Sequence, residues 1–205
     1  MACQRAAAQD DQIRARSGWE PYPFRAPCNR AHPGLIGPGV SHLRRPELAA
    51  RYPVHVTQRV QPGVGYLRAY SRAEIIKSAL QAARARFGMR VVHYSIQGTH
   101  LHLIVEAEGA KALSQAMRGL ATRIARRLNG LTGRRGKVFV DRYHAQALKS
   151  PRQVANARRY VLENYRHHTR EYLGPHWRDP LSTAAAPLVA PSTWLLSAGW
   201  RLAAP

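Results

Sequence analysis

Acidic residues are scarce in this 205-residue chain: Asp and Glu number 11 against 32 Lys and Arg, giving a net charge of +21 and a pI near 11.4. Such an excess of one sign repels itself and calls for a polyanionic partner, with nucleic acid the first class to consider. Only four of the 32 basic residues are Lys, so an Arg- and Ala-rich coding bias accounts for part of the excess. Cysteine is almost lacking. Cys3 and Cys28 both lie near the N-terminus and outside any metal-ligand spacing, which excludes a disulfide framework and a zinc ribbon. No apolar run approaches the roughly 20 residues that span a membrane, and the opening MACQRAAAQDDQIRARS carries no apolar signal segment. The expectation is a cytoplasmic protein with no membrane partner. A hydrophobic content of 45% is enough to build a core.

Residues 1–50 are rich in Pro, Gly, Arg and Ala and keep no period of 2 or 3.6, so they read as an irregular arm. Regular patterning occupies a candidate domain over 51–173, and a Pro- and Ala-rich tail follows over 174–205, with an apolar patch at STWLLSAGW. Within the domain VHVTQRV (54–60) alternates like a strand. SRAEIIKSALQAARARFG (71–88) predicts a helix with Ser71 as cap, Glu74 at the capping-box position and Gly88 as stop. VVHYSIQ (91–97) and HLHLIVE (100–106) flank Gly98 as a hairpin, and Leu113, Met117, Leu120, Ile124 and Leu128 mark one face of a helix over about 110–129. VFVDRYHAQALK (138–149) reads as a strand, and PRQVANARRYVLENYRHH (151–168) as a helix with Pro151 in its first turn. The first six elements follow a βαββαβ plan. This is an α+β, ferredoxin-like antiparallel sheet with helices on one face, flanked by irregular basic arms.

His100 and His102 alternate with Leu101, Leu103 and Val105, so in a strand the two imidazoles share a face and the aliphatic residues enter the core. Two imidazoles at this spacing can hold one divalent metal, and they can equally be ordinary hydrogen-bonding histidines. On the last helix Tyr160 and Asn164 are one turn apart, beside the apolar stripe of Val154, Ala157, Val161 and Tyr165. Periodicity leaves two readings: Asn164 gives an oxygen to a metal and Tyr160 keeps an accessible hydroxyl, or Tyr160 seals the core edge and Asn164 is solvated. Between 110 and 170 there are 15 Lys or Arg and two acids, a single sign that suits a phosphate-tracking surface.

At these residues the sequence resembles the HUH single-tyrosine transposases. GTHLHLIVE is similar to their histidine–hydrophobic–histidine motif, and RYVLEN to their catalytic helix. HVTQRV and VFVDRYHAQALKSPRQVANARRYVLEN resemble the branch of REP-associated tyrosine transposases, REP standing for repetitive extragenic palindrome. The resemblance covers roughly residues 50–168. It implies an HUH endonuclease fold, with His100, His102 and Asn164 as ligands of Mg²⁺ or Mn²⁺ and Tyr160 as the nucleophile. That nucleophile would cut single-stranded or hairpin DNA through a 5′-phosphotyrosine link. It further implies that Arg123, Arg126, Arg127, Arg134, Arg135 and Lys137 hold the DNA backbone. The setting would be the bacterial cytoplasm and nucleoid, and both monomers and homodimers remain open. Two departures stand out. Tyr165 occupies the position after Asn164 where relatives often carry Pro, and Tyr143 and Tyr165 are rival nucleophiles.

Three other functions compete. A domesticated, non-catalytic protein would recognise palindromic repeats without cutting them. A two-histidine phosphoesterase needs two His-x-Thr/Ser motifs; His55-Val-Thr57 supplies one, and His100-Leu-His102 breaks the second. An RNA-recognition sheet would display stacking aromatics where this strand has histidines.

Overall fold

A computed structural model describes residues 47–169 and 173–203, so the arm expected over 1–50 lies outside the described residues except for its last four. Those residues belong to one unit, 44–205. Its strands are β1 (Val54–Arg59), β2 (Ala85–Arg86), β3 (Met89–Ile96), β4 (His100–Ala107) and β5 (His144–Ala147). Its helices are α1 (Tyr70–Ala83), α2 (Ala110–Thr132), α3 (Pro151–His168) and the short α4 (Trp194–Ser197), with 3₁₀ turns at Pro62–Val64 and Gly199–Ala203. The strands form one antiparallel sheet in the order β2-β3-β4-β1-β5. β1 and β4 are therefore central and adjacent, as the ferredoxin-like plan requires.

The alternation in β4 divides its side chains between two cores. Leu101, Leu103 and Val105 join Val54, Val56, Ile76, Leu80 and the predicted stripe of α2 beneath one face. Ile104 joins Val92, Val154, Ala157, Val161, Leu195 and Leu196 on the other. Both helices of the βαββαβ unit thus cover one face, as expected, while α3 and α4 cover the opposite one. α3 starts as its sequence dictates. Ser150 Oγ accepts a hydrogen bond from the Gln153 N–H at 3.3 Å, and Pro151 fills the first turn where no donor is needed.

Three boundaries differ from the sequence reading. α1 begins at Tyr70 with Ala69 as its cap residue and no side-chain cap, so Ser71 and Glu74 lie inside the helix, where Glu74 pairs with Lys77 at 2.7 Å. The same helix ends at Ala83 instead of running to Gly88. Residues 85–86 pair with 89–90 across Phe87 (φ +54) and Gly88 (φ +68), both at the positive φ that a type I′ hairpin needs. The expected strand over 138–149 shortens to His144–Ala147, with Phe139 bridging Val60 separately. Between the two pairings Asp141 Oδ1 accepts the Arg142 N–H at 2.7 Å, and Tyr143 turns into the α1–α2 core, breaking the alternation.

The segment from 173 onward docks on the domain. It lies along the outer edge of β3, where Ile96 N donates to Leu181 O, Thr183 N to Tyr94 O and Leu188 N to Val92 O at 2.9–3.0 Å. The exposed edge is thereby covered, which removes a template for strand pairing. Among the described residues no helix is long and apolar enough to cross a membrane.

Candidate active site

His100 and His102 emerge from β4 on the face covered by α3. Their ring centroids are 4.7 Å apart and perpendicular; His102 is 3% exposed and His100 half-buried. The antiparallel register sets Thr57 directly opposite His102 and Arg59 opposite His100. His102 Nδ1 consequently lies 3.2 Å from both His55 Nε2 and Thr57 Oγ1. Burial, followed by the nearby His144, lowers the pKa of His55 to about 4, so its ring is neutral at physiological pH. With Nδ1 directed at β1, Nε2 is the His102 nitrogen that a metal would take, and His55 and Thr57 would then fix the tautomer of that ligand.

α3 brings Tyr160 to this cluster. Its ring centroid is 5.0 Å from that of His102 and 5.9 Å from that of His55, both edge-on. Asn164, one turn further along the same flank, is fully buried, and among the described residues neither Oδ1 nor Nδ2 has a hydrogen-bond partner. Leaving such an amide unsatisfied costs on the order of 1–3 kcal/mol per group, so the position calls for a partner. A divalent cation fits. Two imidazoles and an amide oxygen would leave open positions for water and phosphate oxygens. Among the described residues no group of three His, Cys, Asp or Glu side chains could hold a metal.

The rival tyrosines are committed elsewhere. Tyr143 is buried in the α1–α2 core on the far side of the sheet. The Tyr165 ring lies 3.7 Å beneath the Arg68 guanidinium and 5.6 Å from the Trp177 ring.

The basic residues separate into two groups. Arg134, Arg135 and Lys137 lie in the loop after α2, which is tied to the end of β1 by Gln61 N donating to Val138 O and Val140 N donating to Arg59 O. That is the end of the sheet where Arg59 pairs with His100. Arg134 packs its guanidinium against Gly63, where an added Cβ would meet Nη1 at 2.9 Å. Arg123, Arg126 and Arg127 are exposed on α2, across the sheet from the histidines. Periodicity alone does not assign His55, Thr57 and Arg59 to this site. Their alternation in HVTQR places them on one face, but only the β1–β4 register shows that this face is shared with His100 and His102.

The family model for transposases of the IS200 type matches residues 52–164, more than half of the chain. No curated protein sequence matches significantly. Among solved structures, a REP-associated tyrosine transposase bound to a REP hairpin superposes with a TM-score of 0.55 at 15% identity, covering 70% of this chain and 82% of that one. A crystal structure from Deinococcus radiodurans R1 covers 61% of this chain and 95% of its own at 16% identity, with a TM-score of only 0.41.

Proposed function

Because the chain belongs to the family of IS200-like transposases, we propose that it cuts and rejoins single-stranded DNA at hairpin or palindromic sequences, using Tyr160 as nucleophile. The observation that carries this reading is the Tyr160 ring at 5.0 Å from His102, with the unsatisfied Asn164 amide one turn away. His100, His102 and Asn164 would hold Mg²⁺ or Mn²⁺, which when bound polarises the scissile phosphate. The Tyr160 oxygen attacks phosphorus, and the bond to the 3′ oxygen breaks. The phenolic proton passes to solvent and the leaving oxygen takes one up as a 3′-hydroxyl. The phosphodiester energy is retained in the 5′-phosphotyrosine, so the reverse attack by another 3′-hydroxyl reseals a strand without ATP. Arg59, exposed beside His100, and the loop carrying Arg134, Arg135 and Lys137 would hold the strand near the tyrosine. The reaction belongs in the bacterial cytoplasm, on the nucleoid.

The test uses a hairpin oligonucleotide labelled at either end, with Mn²⁺. A 3′ label should move with the protein through denaturing electrophoresis. A 5′ label should leave on a fragment that a polymerase can extend, and EDTA should abolish both. Binding without either product would instead support the domesticated, non-catalytic reading.

A further inference from the structure

The outward stripe of α2 and the β2–β3 turn enclose a feature that the catalytic face does not use. Arg118, Thr122, Arg123, Arg126 and Arg127 line a groove of about 770 Å³ with Phe87 at its wall. Arg127 is directed toward α1 through a 2.8 Å hydrogen bond to Ser78 Oγ. Among the described residues no acid pairs with Arg118, Arg123 or Arg126, and α2 itself contains no acidic residue. A smaller hollow of about 200 Å³ adjoins the groove, sharing Phe87, Gly119 and Arg123, with a floor of Ala82, Ala83, Ala116 and Leu120. The cationic groove and the apolar hollow thus share one aromatic wall.

Phe87 is unusual in two respects. It is 62% exposed, and at φ +54 it occupies a turn position where Gly or Asn would be free of strain. Its ring lies against α2 at Gly119, where an added Cβ would make an ordinary contact of 3.8 Å with Phe87 Cε2. A large aromatic retained on the surface at a conformational cost is an outlier that calls for a use.

We infer that this groove is a second nucleic-acid site: it takes a single-stranded DNA segment, with phosphates along Arg118, Arg123 and Arg126 and an unpaired base stacked on Phe87 over the apolar hollow. Stacking on an aromatic wall inside a cationic channel is how single strands are held without sequence preference. From Arg118 to Arg126 the helix rises about 12 Å, the reach of two or three nucleotides. The groove lies across the sheet from Tyr160, so the strand held there is not the strand being cut. This inference deepens the proposed function by giving the transposase a place to hold a flanking segment.

The test is photo-crosslinking of the full chain to a 12-nucleotide single strand containing 5-iododeoxyuridine, with the linked residue located by mass spectrometry. The expected crosslink is at Phe87, lost in Phe87→Leu and recovered in Phe87→Tyr. Phe87→Leu should weaken single-strand binding roughly fivefold or more. Arg118→Ala/Arg126→Ala should reduce the salt slope by about 1.4. Crosslinks confined to the α3 face, or unchanged affinity and salt slope in these variants, would overturn the inference. So would equal loss of binding by Phe87→Leu and Phe87→Tyr, or a preference for duplex of the same sequence that Phe87→Leu leaves intact. No cleavage is needed for any of these readings, so absence of a Tyr160 adduct would count against the catalytic proposal alone.

Discussion

His102 is the residue on which the site turns, and its orientation is set from β1. His55 and Thr57 both approach its Nδ1 at 3.2 Å. Replacing His55 with Ala should therefore weaken Mn²⁺ binding roughly tenfold or more even though no proposed ligand is removed, as second-shell losses usually do. Isothermal titration with Mn²⁺ reads this directly, and wild-type affinity would place the orienting role elsewhere. A second buried histidine gives a pH prediction. His93 Nε2 faces Arg158 Nη1 at 3.1 Å and Nδ1 faces Thr183 Oγ1 at 3.3 Å. Burial and then the Arg158 charge lower its pKa to about 4, with Glu106 opposing weakly. The unfolded chain, titrating near 6.5, binds the proton more readily than the folded one between these values. The His93 contribution to stability should thus hold above pH 6.5 and fall by about 3 kcal/mol on approaching pH 4. Urea midpoints across that range should show the decline, and His93→Gln should remove the His93 share of it while leaving the part due to His55.

Among the elements, α3 was the most legible in advance, because Ser150, Pro151 and the Val154–Ala157–Val161 stripe specify its start and buried face. Its position was not legible, since periodicity does not say which side of the sheet a seventh element will take. The ends of α1 and β5 are not legible in the sequence, for local reasons. Phe87 gives no hint of a left-handed turn, and Asp141 interrupts an alternation that looks continuous. The apolar STWLLSAGW patch offers a docking face, and Leu195 and Leu196 enter the core with α3, but the course of the tail depends on polar contacts distant in sequence. Glu106 accepts from the backbone and hydroxyls of Ser192 and Thr193 at 2.7–2.9 Å. Burial alone would raise its pKa, but these bonds lower it. Arg68 pairs with Asp179 at 2.9 Å, both nearly buried, while its guanidinium covers Tyr165 of α3. Removing one partner of such a pair leaves a buried charge, so Asp179→Ala should cost about 3–5 kcal/mol. Glu106→Gln, which sets an amide NH2 donor against the Ser192 and Thr193 donors, should cost about 2 kcal/mol. Thermal denaturation should report both, whereas a tail that docks weakly would leave the melting temperature of either variant unchanged.

For the molecule as a whole, the +21 charge was the first feature visible and the least specific. The fold gives it two destinations: the Arg134–Lys137 loop at the His100 end of the sheet, and the α2 groove behind it. If both contact phosphates, single-strand binding should weaken steeply with salt, with a slope of about −0.7 for each phosphate neutralised. Arg135→Ala/Lys137→Ala should reduce that slope by about 1.4; an unchanged slope would remove the loop from the DNA path. The histidine pair alone supports several functions, and the proposed strand transfer rests on the tyrosine of α3. The most direct measurement is therefore the chemical identity of the protein–DNA link after incubation with Mn²⁺ and a single-stranded hairpin. Digestion and mass spectrometry should find a nucleotide on Tyr160, and Tyr160→Phe should bind the same DNA with no covalent product. A denaturation-resistant adduct persisting in Tyr160→Phe, or mapped to Tyr143 or Tyr165, would contradict the account.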